Sequence, residues 1–208
     1  MVFIVNLTKP VILASGSPRR KELLALAGFN FTVCPAKGEE VTTKTLPCDI
    51  VCELAHQKAF EIAKAQKAPC YVIGADTIVA FENRILGKPK NSEDAVRMVS
   101  MLQGSTHQVY TGVTLIEVCT DGSLREKSFY EETNVHVCQM TKDEIASYVA
   151  TGEPLDKAGA YGIQGSFAAY IRGIHGDYTN VVGLPLGRLC HEIKKLLEEQ
   201  ENDQAGRN

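Results

Sequence analysis

The sequence predicts an α/β protein with a mixed sheet, divided into two lobes by a cleft. Short apolar runs alternate with segments of helical period along the 208 residues, so strands and helices come intermixed. Residues 107–119 and 124–138 read as a long hairpin around Thr120-Asp121-Gly122-Ser123. That hairpin, with helices on either side of it, is what suggests the two lobes. No internal repeat and no composition break marks a linker.

Val11-Ile12-Leu13-Ala14 is a short apolar run and reads as a buried strand. A short helix follows, with Ser17 suited to the N-cap, Pro18 to the first helical position and Gly28 to the stop. Residues 30–34 read as a second strand ending at Pro35, and 36–47 as a polar loop holding Glu39 and Glu40. Val51, Leu54, Ala55, Ala59 and Ile62 recur at helical spacing and predict a long helix over 49–67. Cys70 to Ala75 reads as a buried strand that runs on to Phe81, turns at Glu82-Asn83 and meets Ile85-Leu86. Ser92 to Gln103 reads as a helix stopped by Gly104. Thr141-Lys142-Asp143-Glu144 is a capping box that opens a helix ending at Gly152. Residues 153–166 are glycine-rich and irregular, and 167–174 read as a strand. A last amphipathic helix over 185–199 carries Leu186, Leu189, Ile193, Leu196 and Leu197 on its apolar face. One domain is expected over 10–198, with an N-terminal extension (1–9) and a polar, frayed tail (199–208).

Bulk composition excludes more than it selects. Apolar residues make up 44% and charged residues 23%, as in ordinary soluble proteins. A net charge of −3 supplies no basic field for nucleic acid, which is not expected as a partner. No apolar run approaches the ~18 residues of a membrane span, and Met1 to Val5 lacks the basic region of a signal peptide. Seven scattered cysteines argue against a disulfide framework and fit a reducing compartment, so a cytoplasmic location is expected. Cys48 and Cys52 share a helix face, but no further Cys or His lies near enough to make zinc the better reading.

Chemistry concentrates in a few places. In Ser15-Gly16-Ser17-Pro18-Arg19-Arg20, cations occupy the first helical turn, where the dipole already favours anions. Free N–H groups, a serine hydroxyl and two guanidinium forks make a phosphate cradle. Asp76, in Gly74-Ala75-Asp76-Thr77, reads as a carboxylate at a strand end. There it would hold Mg²⁺ or activate water, or else bond the local backbone at a kink. Lys58 taken alone reads as a solvated helix lysine, and Lys88 as a surface lysine whose backbone is held extended before Pro89. Glu39 and Glu40 are a solvated pair or a source of one more metal ligand. Glycines 152, 159, 162 and 165 surround Asp156, Lys157, Tyr161 and Gln164, which allows close backbone approach to a base. Walker-type, dinucleotide and nucleophile-elbow signatures are absent, and the five histidines form no ligand-spaced pair.

Taken in order, these motifs resemble the Maf family of nucleoside triphosphate pyrophosphatases. The resemblance runs from Val11 to about Leu197 and rests on Leu13 to Arg20, Glu39-Glu40, Gln57-Lys58-Ala59, Ile73 to Thr77, Gly87-Lys88-Pro89, Gly152 to Gly165, Gly176-Asp177-Tyr178 and Val182 to Pro185. It implies a two-lobed α/β fold with an elongated mixed sheet, and hydrolysis of a nucleoside triphosphate to the monophosphate and pyrophosphate. Mg²⁺ or Mn²⁺ is the implied cofactor. On the matching positions, Asp76 becomes the proton acceptor and a metal ligand with Glu40, while Ser17, Arg20, Lys58 and Lys88 bind phosphate. Arg19, Thr77 and Gln164 are similar to the branch acting on dTTP and UTP; the sister branch, which prefers methylated GTP, carries a tryptophan in place of Arg19. The Lys37-Gly38 pair before the two glutamates and the longer N-terminal lead depart from the family pattern. The competing reading is a nucleotide-binding regulator without turnover, acting through a protein partner. In the pyrophosphatase reading the partners are the nucleotide and, at most, a second copy of the chain in a homodimer; no membrane is expected.

Overall fold

The computed structural model describes residues 7–205, with side chains through residue 199. In chain order come β1 (Val11–Leu13), α1 (Pro18–Leu26), β2 (Phe31–Val33), α2 (Pro47–Lys64), β3 (Cys70–Phe81), β4 (Arg84–Leu86), α3 (Ser92–Leu102), β5 (Thr106–Val118) and β6 (Leu124–Val137). α4 (Lys142–Ala150), β7 (Ile171–His175), α5 (Tyr178–Val182) and α6 (Leu186–Ala205) complete the fold. Seven strands form one mixed sheet in the order β2-β1-β3-β5-β6-β7, with β4 also paired to β3.

The sheet creates its own gap. β1 runs parallel to the start of β3, with Leu13 opposite Ile73 as the last pair. β4 runs antiparallel to its end, from Val79 onward. Between these two partners, that edge of β3 has no neighbouring strand, while β5 pairs along the other edge from Cys70↔Val118 to Ala80↔Gln108. A cleft opens where the partners part. Val11, Leu13, Tyr71 and Ile73 pack with Leu24, Leu189 and Ile193 on one side of the first lobe. Ile12, Ala14 and Val72 pack with Ala59, Ile62 and Ala63 of α2 on the other. The second lobe is built around Val79, Val99, Leu102, Tyr148 and Phe167. Three long strands, β3, β5 and β6, run through both lobes.

Most elements fall where the pattern puts them, and Thr141 and Glu144 make the reciprocal capping box. The differences have causes. Ser17 occupies the N-cap position of α1 but makes no side-chain cap hydrogen bond. Asp76 lies in the middle of a 12-residue strand rather than at a strand end, because the ladder to β5 continues past it without a break. The expected strand at 167–174 begins as a 3₁₀ turn, Ser166–Tyr170, and only Ile171–His175 pairs with β6. α5 is short and has no periodicity to betray it. α6 continues through the polar residues to Ala205, where a frayed tail was expected. Residues 1–6 of the N-terminal extension and 206–208 of the tail lie outside the described residues.

Candidate active site

The gap along β3 opens into a cleft of about 480 Å³. Side chains alternate on β3, so Asp76 faces α2 and Thr77 faces α1 and α5. Each meets a cation. Lys58 Nζ, from α2, lies 2.5 Å from Asp76 Oδ1 and 3.0 Å from Glu40 Oε1. The Lys58 side chain is 15% exposed, so it is a half-buried ion-pair partner rather than the solvated lysine its surroundings in sequence suggest. Asp76 is 9% exposed and pairs with Lys58 instead of bonding the backbone beside it.

Arg20 is anchored on the other face. Its Nε donates to the Gly183 carbonyl at 2.9 Å, Nη1 to Ser15 Oγ at 3.0 Å and Nη2 to Thr77 Oγ1 at 3.1 Å. Thr77 Oγ1 is also 2.9 Å from Thr111 Oγ1, and Thr111 donates to the Asn180 carbonyl at 3.0 Å. Burial lowers the Arg20 pKa from its ordinary value while Asp76 pulls the other way, and the guanidinium stays charged. Five N–H donors in a rigid fork leave two of them beyond these three bonds. The turn 15–17 ends in the uncapped start of α1, whose N–H groups and Ser17 face the cleft.

The glycine-rich segment forms the opposite wall. Gly159 and Ala160 are consecutive left-handed residues, with φ of 69° and 59°. For alanine that conformation is strained. The bend brings Tyr161 to the cleft wall while its hydroxyl reaches His107 Nε2 at 2.7 Å. His107 is fully buried, and burial drops its pKa from 6.5 to about 4. Gly159 N–H donates to the Gly87 carbonyl at 3.0 Å, which ties this wall to the turn carrying Lys88. Glu153 accepts from Ser166 N–H at 2.9 Å and Oγ at 2.7 Å, closing the loop that presents Gln164. Arg19 Nη1 and Asp156 Oδ2 face each other at 3.8 Å across the cleft mouth.

Glu40 sits on a loop without regular structure, held from below by one stripe of α2. Glu61 accepts from the Lys37 and Gly38 N–H groups at 2.9 Å each, which holds its carboxyl below the usual range. Gln57 bonds Val41 twice, donating to its carbonyl at 2.5 Å and accepting from its N–H at 3.2 Å, and Glu53 meets the Thr42 hydroxyl.

Ser17, Arg19, Arg20, Glu40, Lys58, Asp76, Thr77, Lys88 and Gln164, all singled out from the sequence, line this one cleft, and Glu39 does not. Sequence reasoning missed the anchors of Arg20. Gly183 and Ser15 lay inside quoted motifs with no role assigned, and Thr111 carried no signal at all. Cys48 and Cys52 are free thiols on α2, and among the described residues no group of three or more His, Cys, Asp or Glu side chains is placed to hold a metal. No helix among the described residues is long and apolar enough to cross a membrane.

Fold and cleft together define an α/β protein with a cleft between two lobes whose lining carries more cations than carboxylates. The chain belongs to the Maf family: the family model described as Maf-like protein matches residues 10–196. A dTTP/UTP pyrophosphatase of Agathobacter rectalis is 55% identical over 198 residues, covering 89% of this chain and 97% of the relative. One of Lachnoclostridium phytofermentans is 52% identical over 186 residues, covering 89% and 94%. A solved HAM1 protein from Coxiella burnetii aligns with 90% of this chain and 100% of its own at 14% identity and a TM-score of 0.49.

Proposed function

We propose that this protein hydrolyses nucleoside triphosphates, dTTP and UTP ahead of others, to the monophosphate and pyrophosphate. The observation that carries the reading is a half-buried Asp76–Lys58 pair facing a phosphate-type turn in a cleft lined by Arg19, Arg20, Lys58, Lys88 and Lys157. A triphosphate brings about four negative charges, and a water-poor cleft makes each countercharge worth more than in solvent. The relatives' names supply the substrate class.

In this reading Asp76 accepts the proton of a water that attacks the α-phosphorus. The bond from that phosphorus to the bridging oxygen breaks, and pyrophosphate leaves with the electron pair. Lys58 holds the Asp76 carboxylate in the free protein and offsets charge on the phosphates once they bind. Arg20 and the Ser17 turn hold the chain of phosphates in line. Gln164 offers one donor and one acceptor, matching the N–H and C=O edge of uracil or thymine. Asp76 and Glu40 fit a divalent ion, since Mg²⁺ is held by one or two carboxylates plus substrate phosphates rather than a full protein cage. Such an ion, Mg²⁺ or Mn²⁺, supplies charge neutralisation at the phosphates when bound. Seven free thiols suit a reducing compartment such as the cytoplasm.

Pyrophosphate release from dTTP and UTP with Mg²⁺ tests the proposal, alongside the isosteric Asp76→Asn. Loss of the general base lowers the rate by about 10²–10⁴-fold. Nucleotide binding without pyrophosphate release would favour the regulator instead. An Asp76→Asn rate within tenfold of the parent would reject Asp76 as the base.

A further inference from the structure

Two carboxylates of the cleft share a single ammonium. Lys58 Nζ stands 2.5 Å from Asp76 Oδ1 and 3.0 Å from Glu40 Oε1, the seat a cation bridging the two would take. We propose that Lys58 is the resident cation of this pair, so that a divalent ion is kept off the free protein and enters only together with the nucleotide. The proposal rests on the metal-dependent reading above.

Three observations support it. In the free protein the ammonium is set against both carboxylates, because α2 lies so close to β3 that Gly74 has room for no side chain, and Lys58 is only 15% exposed. The remaining cleft acid, Asp156, is already taken by Lys157 Nζ at 2.6 Å, with Arg19 nearby. The lining therefore holds five cations, Arg19, Arg20, Lys58, Lys88 and Lys157, against three carboxylates. A lone divalent ion entering the cleft meets net repulsion. A triphosphate reverses the sign of the cleft. Its oxygens give the Lys58 ammonium new partners, and Glu40 and Asp76 become available to the ion.

Mn²⁺ binding to the whole protein, read from the loss of the free-ion electron paramagnetic resonance signal, tests this without any turnover. The arms are the parent, Lys58→Met, Lys58→Arg and Lys58→Met/Asp76→Asn, each with and without α,β-imido-dUTP, which cannot be cleaved at that bond, and the Mn²⁺ taken up by the analogue alone is subtracted. The parent is expected to bind Mn²⁺ at least about tenfold more tightly with the analogue than without it. Lys58→Met alone should gain Mn²⁺ affinity by at least about tenfold. Lys58→Arg, which keeps the charge, should not gain it, and the added Asp76→Asn should abolish the gain. Circular dichroism checks folding, and Lys58→Gln replaces the methionine variant if that one fails to fold. Equal Mn²⁺ affinity of the parent with and without the analogue would overturn the proposal, as would a neutral Lys58 variant that gains nothing. A parent that binds the analogue but takes up no Mn²⁺ with it overturns the metal-dependent reading itself, and with it the proposal.

Discussion

Gly74→Ala probes the spacing on which the site depends. Gly74 lies on β3 two residues before Asp76 and faces α2. A Cβ at this position would stand 2.4 Å from the Ala55 carbonyl oxygen, 2.7 Å from Ala59 N and 2.8 Å from Ala59 Cβ. Ordinary contact starts at 3.4 Å, so strand and helix must part by about 1 Å. Two of the three obstructing atoms are helix backbone, so α2 has to move as a body and carries Lys58 with it. Overpacking of this kind costs about 1–3 kcal/mol of stability. The Lys58–Asp76 bond, 2.5 Å in the parent, would open to about 3.5 Å, beyond a hydrogen bond. A misplacement of about 1 Å at a reacting group costs up to about 10²-fold in rate. Urea unfolding should show a lower midpoint with an unchanged slope. Pyrophosphate release from dTTP, measured in buffer where the variant is fully folded, should fall by about 10–10²-fold in kcat/KM. Gly187→Ala, where a Cβ meets nothing within 4 Å, serves as the control. A Gly74→Ala protein that is less stable yet keeps the parental kcat/KM would refute the claim that activity depends on the spacing of α2 and β3, which positions Lys58 and Asp76.

Arg20→Lys cannot reach Gly183, Ser15 and Thr77 with one planar fork, so turnover should fall by about 10–10²-fold, and full activity would mean that the fork is unused. If Gln164 reads the base as proposed, Gln164→Ala should lower dTTP and UTP turnover and narrow their lead over CTP; unchanged ratios in a substrate panel would remove Gln164 from base reading. His107, buried with its pKa lowered from 6.5 to about 4, gives stability that is complete above pH 6.5 and is lost as pH falls toward 4. The loss is about 3 kcal/mol, since the unfolded chain takes up the proton first. His107→Gln should flatten that slope in urea midpoints measured across the window, and identical slopes would show that His107 does not carry it.

What could be read from the sequence was whatever depends on neighbours along the chain. The capping box at Thr141, the turn at Glu82-Asn83 and the apolar face of α6 are local patterns, and each appears in the structure. The cation-rich turn before α1 stood out for the same reason, since cations in a first helical turn are locally unfavourable and need an outside partner. What failed was long-range. Lys58 looks solvated beside Glu53, His56 and Gln57, because its partner lies 18 residues away on another element. Asp76 looked like a strand-end residue because the pairing that carries β3 past it comes from β5, and an apolar run cannot announce its partner. The tethers of Arg20 reach across 163 residues to Gly183 and 57 to Thr77, distances at which spacing says nothing.

Glu53, Gln57 and Glu61, four residues apart on α2, spell out where the loop bearing Glu40 must lie. That loop has no ladder of its own, so its shape is stored in the helix beneath it. Glu40 can therefore be shifted by substitutions at other residues. Shortening Glu61 to aspartate, for instance, would drag the Lys37-Gly38 backbone and shift the Glu40 carboxylate without changing its chemistry. Loop and helix form one structural unit. Without the side chains of Glu53, Gln57 and Glu61 the loop would lose the bonds that hold Glu40 beside Lys58.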